Sequence, residues 1–489
     1  MKTERGKAGR PPTSHSSALS CRLLPGVRLR RAGGRCLVVA ERPLVVLEVR
    51  ERGLALLERC HGTAELEAVQ PGERKFLRRL AELGIVELRP LPADWPAVSL
   101  LIPVRDRHRQ LATCLEAVAR LDYPADRLEV TVVDDGSAAP LQLGDGMRVL
   151  RLPESLGPAG ARNLGARESR GELLAFLDSD CRPDPDWLRR LVAELSDPAV
   201  AAAGGRILGA SQRSWLERYE AVRSPLDLGP NYAEARPRRP VPYLVSASLV
   251  VRRTAFEAAG GFDAGLRFGE DVDLCWRLSA AGHQLVYQPL ARVLHDHRGG
   301  LGDFISTRAS YGAAEAALLR RHPENRRWLG LNRPLLLTLA AMLARPALLP
   351  IAGLELGAEI ILGAARLRRE AGLPVRAGAA ALFRGQAAGA YHLGRQLTRY
   401  YGLPLGLAAR RRRRLLGLVL AGLLGSAAVD WMRLRPALSP VEFAAAQALD
   451  DLSYQLGCLR GCLRHRTLAP LRVDLVFNGP RRRKGDGSL

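Results

Sequence analysis

Between Val98 and Gly300 the chain alternates two hydrophobic rhythms. Short unbroken apolar runs, VSLLIPV (98–104), LEVTVV (128–133) and ELLAFL (172–177), read as strands buried on both faces. Between them lie segments such as HRQLATCLEAVARL (108–121), whose apolar positions recur at three- and four-residue steps and predict amphipathic helices. The alternation predicts βαβ units, a parallel sheet, and ligands bound at the carboxyl ends of its strands.

Outside this region the rhythm changes. Upstream, GRCLVVAERPLVVLEV (34–49) reads as two short strands, and PGERKFLRRLAELGIVEL (71–88) as a helix running into a strand. Downstream the pattern is helical and unusually apolar. Residues 334–365 are interrupted by Arg345, Glu355 and Glu359, whereas Leu415–Val429 is an uninterrupted fifteen-residue apolar run. Fifteen is short of the roughly 17–25 residues that a spanning helix needs. Near the end, Leu449, Leu452, Leu456, Leu459 and Leu463 mark the stripe of an amphipathic helix. The predicted organisation is a loose tail over 1–20 with no signal-like apolar run, a small α+β module of winged-helix-like outline over 21–95, and a Pro-rich linker at Arg89–Ala97. An α/β domain over 97–320 and a helical, membrane-associated region over 321–489 complete it.

Composition sharpens this picture at two points. The net charge of +23 suggests a polyanion partner, but residues 326–489 hold 26 Lys or Arg against 9 Asp or Glu, including the run Arg410–Arg414. The excess therefore lies in the apolar tail and away from the candidate chemistry, which points to an anionic membrane surface and not to nucleic acid. A buried helical cap on the α/β domain is the other reading of that tail. The eight cysteines include no Cys-x-x-Cys pair and read as reduced, cytosolic thiols.

Candidate chemistry gathers where strands end. Asp178-Ser179-Asp180 follows an apolar strand, and alternate residues of an extended segment share a face. Two hard carboxylates suit Mg²⁺ or Mn²⁺. A helix N-cap is the competing explanation, yet Asp184 or Asp186 is as well placed to cap the next helix. GPAGARN (157–163) offers glycines for close backbone approach and Arg162 as a cation for a diphosphate, or simply a turn and helix start. Glu270, Asp271 and Asp273 open a predicted helix as caps, or as a general base held at a fixed terminus. His295 and His297 are structural, or one completes a metal's coordination.

The order of these elements resembles a family 2 glycosyltransferase of the GT-A fold. The resemblance rests on VSLLIPVRDR, VTVVDDGS, GPAGARNLG, LLAFLDSDCRPDPDWL, VSASLVVRRTAFEAAGGFD and GEDVDLCWRL, about 200 residues together. Within that family, RYEAVRSPLDLG, LHDHRG, RRHPENR and LDDLSYQLGCLRGCLRHRTLAPLR are similar to the mycofactocin-system branch. The resemblance implies decoration of a peptide-derived redox cofactor with a β-linked glucose chain. The resemblance implies donor contacts from Pro103, Asp106, Asp134, Asp135, Arg162, Asn163 and Asp178. It further implies a Mn²⁺ or Mg²⁺ site at Asp178, Asp180 and His295, with Asp271 as catalytic base and Glu270 positioning the acceptor. A sugar-nucleotide donor such as UDP-glucose, a peptide-derived acceptor and the cytoplasmic face of a membrane follow as expectations. Two features depart from the family pattern. Arg105 stands where many relatives carry an aromatic residue, and the Gln-x-x-Arg-Trp signature of processive synthases is not found. The rivals are a cell-wall or lipid glycosyltransferase, a nucleotidyltransferase, and an inactive membrane scaffold.

Overall fold

The computed structural model describes residues 18–477 except 33–34, 42–43, 61–63, 67–68, 92–93, 144–146, 298 and 332. Most of the expected N-terminal tail lies outside the described residues, but Ala18–Ser20 already belong to a strand. That strand, β1 (Ala18–Leu23), opens a module of β2 (Val27–Ala32), β3 (Arg35–Glu41), β4 (Leu44–Val49), α1 (Glu51–Glu58), β5 (Ala64–Leu66), α2 (Pro71–Glu82) and β6 (Val86–Leu91). They form two antiparallel sheets, ordered β5-β1-β6 and β2-β3-β4. Helix α2 starts with Pro71 at its first turn and a Gln70–Glu73 capping box, and buries Leu77 and Leu80. The first three residues of the expected linker, Arg89–Leu91, belong to β6, which is held to β1 along its length.

The α/β domain contains β7 (Val98–Val104), α3 (His108–Val118), β8 (Leu128–Asp134), β9 (Arg148–Arg151), α4 (Gly157–Glu168), β10 (Leu173–Leu177), β11 (Cys181–Pro183) and α5 (Trp187–Glu194). It continues through β12 (Val200–Gly209), α6 (Trp215–Arg223), β13 (Ala233–Glu234), β14 (Ser248–Arg252), α7 (Arg253–Ala258), α8 (Glu270–Ala280) and β15 (Gln284–His295). Their sheet runs β11-β15-β12-β14-β10-β7-β8-β9, with β13 on β15. It is mixed, where the alternation had predicted a parallel sheet. The first half, β7 to β10, is parallel, but β14 lies antiparallel between β10 and β12. Apolar strands buried on both faces look alike in either direction, so periodicity carries no sign of the reversal. The module docks on this sheet through Arg78, whose guanidinium lies 2.8 Å from Asp197 and 3.1 Å from the Gln284 amide oxygen.

The remainder is α9 (Leu301–Arg321), β16 (Trp328–Leu331), α10 (Arg333–Leu343), α11 (Leu349–Ala371), α12 (Val375–Ala409), α13 (Arg413–Leu434), α14 (Pro440–His465) and β17 (Asp474–Phe477). The segments Pro346–Ala371 and Arg413–Leu434 are long and apolar enough to cross a membrane, and only 11% and 17% of their apolar windows are buried. The fifteen-residue run thus underestimated α13, which extends through Asp430 and Trp431 to 22 residues. Asp430 is accommodated by the Tyr391 hydroxyl at 2.7 Å and Arg223 at 3.4 Å. Helix α14 reverses the expected polarity. Leu452, Leu456 and Leu463 of its leucine stripe are exposed, while Asp450, Asp451, Gly457 and Gly461 are on the buried side. The cause is its neighbour α9: a Cβ on Gly457 would fall 2.0 Å from the Ala309 carbonyl oxygen, so only glycine permits that approach.

Candidate functional site

Strand direction assembles the site. Register pairs Val104 with Asp134 and Leu101 with Phe176, so β7, β8 and β10 end at one edge of the sheet. The antiparallel β14 begins there, with Ser248 opposite Leu177, and the short β11 sets Cys181 opposite His295. Helix α8 arrives through Gly269, whose φ of 81° is a left-handed turn that glycine adopts without strain, and presents Glu270 and Asp271 in its first turn. A cleft of about 1580 Å³ covers this edge.

Pro103, Asp135, Arg162, Asp178, Asp180, Glu270, Asp271 and His295 all line the cleft. Asp106, Asp134 and Asn163 are outside that lining, and each has a structural task. Asp134 is fully buried and accepts from the Ser137 amide at 2.9 Å. Asp106, at φ 55°, ties its loop to the Ala138 amide at 2.8 Å. The Asn163 amide brackets the Phe262 backbone, donating to its oxygen at 2.7 Å and accepting from its nitrogen at 3.0 Å. Asp135 accepts from Ser155 Oγ and from the Leu156 and Gly157 amides at 2.7–3.0 Å, which holds the glycine-rich start of α4 at the cleft.

Arg162 is not a free cation. It is buried, donating to Asp178 Oδ1 at 2.6 Å and to Glu270 Oε1 at 2.8 Å. Burial opposes its charge, and the two carboxylates outweigh burial and hold it protonated. The guanidinium thus pins together a strand-end acid and a helix-start acid that lie 92 residues apart. Asp271, next along α8, receives the Ser246 amide at 3.2 Å and the Val272 amide at 2.8 Å. Burial, then the neighbouring charge of Glu270, pushes its carboxyl up to about 7. A carboxylate so poised is well suited to accept a proton near neutral pH.

The donor set fits a divalent ion in part as expected. Ligand atoms of Asp180, Cys181 and His295 lie within 4.8 Å of one another. His295 Nε2 is 3.5 Å from Asp180 Oδ1, and its Nδ1 is buried without a hydrogen-bond partner. Burial raises the Cys181 thiol well above its ordinary range, leaving it a poor ligand for a hard cation. Asp178, expected in the metal set, is turned to Arg162 and is not part of this cluster. The Arg107 guanidinium, partly exposed at the cleft, bonds to Asp180. Asp186 occupies the cap position of α5, but its carboxylate binds Arg190 at 2.6 Å and leaves the cap unmade.

Sequence reading singled out His297 but missed the charged cluster around it, Glu220 and Arg308 in the cleft wall with Asp450 behind them. Glu220 of α6 accepts from Arg308 of α9 at 2.5 Å and lies 3.6 Å from His297 Nδ1, while Arg308 Nε reaches Asp450 of α14 at 3.2 Å. Burial, with His295 and Arg308 nearby, lowers His297 to about 3, so it stays neutral. Tyr311, Arg399, Tyr400 and Tyr454 extend the wall. A signal existed, since Glu220 and Asp450 lie in RYEAVRSPLDLG and LDDLSYQLG, but no spacing rule joins segments 230 residues apart.

Residues 99–260 match the family described as glycosyl transferase family 2. The chain is 37% identical over 411 residues to the pre-mycofactocin glycosyltransferase of Mycobacterium tuberculosis, covering 79% of this chain and 84% of that one. It is 33% identical over 202 residues to glycosyltransferase AglE of Haloferax volcanii, covering 39% and 64%. Among solved structures, the mannosyltransferase PcManGT from Pyrobaculum calidifontis, in complex with GDP-Man and Mn²⁺, aligns with a TM-score of 0.37 and 21% identity over 68% of this chain and 88% of that one.

Proposed function

Because the chain belongs to glycosyltransferase family 2, in its mycofactocin-type branch and with a GT-A catalytic domain, we propose that it moves a hexose from a nucleoside-diphosphate sugar to a peptide-derived redox cofactor, mycofactocin. Glucose from UDP-glucose is the transfer we assign, with inversion to a β-linkage. The observation that carries the site is Arg162, which holds Asp178 and Glu270 within one guanidinium's reach beside Asp271.

In this reading Asp271 takes the proton of an acceptor hydroxyl as that oxygen attacks the anomeric carbon. The bond from carbon to diphosphate breaks on the opposite face, and its electron pair leaves on the phosphate oxygen. Glu270, fixed by Arg162, steadies the base and the approaching acceptor. Asp135 and the α4 turn shape the donor side, and Asp178 meets the donor ribose. Asp180 and His295 would hold Mn²⁺ or Mg²⁺, which supplies positive charge against the departing diphosphate. Aligning the two substrates contributes several kcal/mol more, roughly.

The test is full-length protein with Mn²⁺, a panel of sugar nucleotides and the peptide-derived acceptor. Release of nucleoside diphosphate with addition of hexose supports the reading, and release of pyrophosphate favours the nucleotidyltransferase. A second reading, lipid or cell-wall glycosyl transfer at the cytoplasmic face of a membrane, draws support from the exposed apolar lengths of α11 and α13. Hexose appearing on extracted lipid and not on the peptide-derived acceptor would favour it.

A further inference from the structure

Two phenols in the cleft take no part in the reaction described above. The chain has ten tyrosines, and eight of them hydrogen-bond through their hydroxyls to a protein acceptor, as Tyr219 does to Asp450 and Tyr454 to Glu315. Tyr243 and Tyr311 are the remaining two. Both line the cleft, and neither hydroxyl has a protein partner among the described residues. Neither hydroxyl is among the fully buried orphaned atoms, so each faces the cleft and is available to hydrogen-bond a ligand there.

Both tyrosines are set in firmly anchored backbone, and both feel the charge of Asp271. Tyr243 sits between Pro242, whose oxygen accepts from Trp276 Nε1 at 3.2 Å, and Leu244, whose amide donates to Cys275 Sγ at 3.3 Å. Trp276 and Cys275 belong to α8, the helix that starts with the proposed base, and Ser246 in the same loop donates to Asp271 itself. Tyr311 meets Phe268 edge-to-face at 5.8 Å. Its neighbour Gly312 is pressed against α14 so closely that a Cβ there would lie 2.2 Å from the Tyr454 carbonyl oxygen. Burial first, and the negative charge of Asp271 in addition, raise both phenols above their ordinary range, so each remains a proton donor.

We propose that Tyr243 and Tyr311 bind the acceptor, bonding through their hydroxyls to oxygens beside the one that attacks. This deepens the transferase reading and rests on it. The ligand chemistry is that of a polyhydroxylated acceptor, in which a second oxygen flanks the reacting hydroxyl as in a pyranose. One belongs to the loop whose Ser246 amide bonds Asp271 and the other to α9, so two separate parts of the fold orient that acceptor as well as retain it. Helix α14, remote in sequence, thereby becomes the brace of an acceptor-binding residue.

The test compares wild type, Tyr243→Phe, Tyr311→Phe and the double variant as full chains. Transfer from UDP-glucose with Mn²⁺ is measured to the peptide-derived cofactor and to p-nitrophenyl β-glucoside, alongside calorimetric binding of UDP with Mn²⁺. Each variant keeps its ring, so the packing on Phe268 and α8 is retained. The expected result is an acceptor KM raised about tenfold for each lost hydrogen bond, with the Kd of UDP within twofold of wild type. Acceptor KM unchanged in both variants overturns the proposal, as does a loss of UDP affinity in step with KM. Failure of wild type to transfer to either acceptor sinks the transferase reading, and this pair with it. Wild-type transfer with indifferent variants sinks the pair alone.

Discussion

As the proposed base, Asp271 would have to be basic enough to take a proton and still ionised at working pH, and its surroundings set both. Burial and Glu270 raise its carboxyl to about 7, while two backbone amides and Arg162 pull the other way. Transfer requires the carboxylate, so the rate should fall as pH drops through about 7. Glu270→Gln removes a like charge, and the acid limb of the pH–rate profile should move to lower pH. An unmoved limb would show that Asp271 is not the titrating base. Asp271→Asn should lose roughly 10²–10⁴-fold in transfer while calorimetry with UDP and Mn²⁺ still detects donor binding. At this scale the sequence was informative about residue type and blind to pairing. Asp178, Asp180, Glu270, Asp271 and His295 were all legible as strand-end or helix-start groups, and all line one cleft. That Arg162 would be committed to two of them, and that Asn163 would serve the Phe262 backbone, depends on contacts that no local spacing shows, the Arg162–Glu270 and Asn163–Phe262 bonds each spanning about a hundred residues.

Among elements, the contact of α9 with α14 is the one most open to test. Gly312, Gly457 and Gly461 let the two backbones meet, and Asp450 brings a buried carboxylate to Arg308 and Arg399 at 3.2 Å each. Gly457→Val should destabilise the chain by about 2 kcal/mol or more in urea unfolding. Gly406→Ala, with open space around its new Cβ, should be neutral or slightly stabilising. Asp450→Asn should cost roughly 3 kcal/mol, because it leaves the buried Arg308 and the part-buried Arg399 guanidiniums short of charge. The arginines outweigh burial and hold the Asp450 carboxyl below its ordinary value. Its contribution is therefore complete above about pH 4 and is lost as pH falls through the depressed value. Helix α14 was legible as a helix, but its orientation was not. A leucine stripe ordinarily marks the buried face, and here glycines and paired acids won that face because close backbone approach leaves no room for leucine.

For the whole molecule, the candidate cleft draws on both the α/β domain and the C-terminal helices, since Tyr454 lines it together with Pro103. Removing residues after 330 should therefore abolish transfer, beyond any effect on location, and adding detergent or lipid to the truncated chain should not restore it. The exposed apolar lengths of α11 and α13, with Arg410–Arg414 running from the end of α12 into the start of α13, predict co-flotation with anionic vesicles. Changing the five arginines to Gln should weaken that binding by about 1 kcal/mol for each charge near the surface. The central claim is that Asp271 drives hexose transfer in this cleft. Mass spectrometry of the peptide-derived acceptor, after incubation with UDP-glucose, Mn²⁺ and either wild-type or Asp271→Asn protein, tests it most directly. The account predicts hexose increments with wild type and none with the variant, and equal increments from both would contradict it.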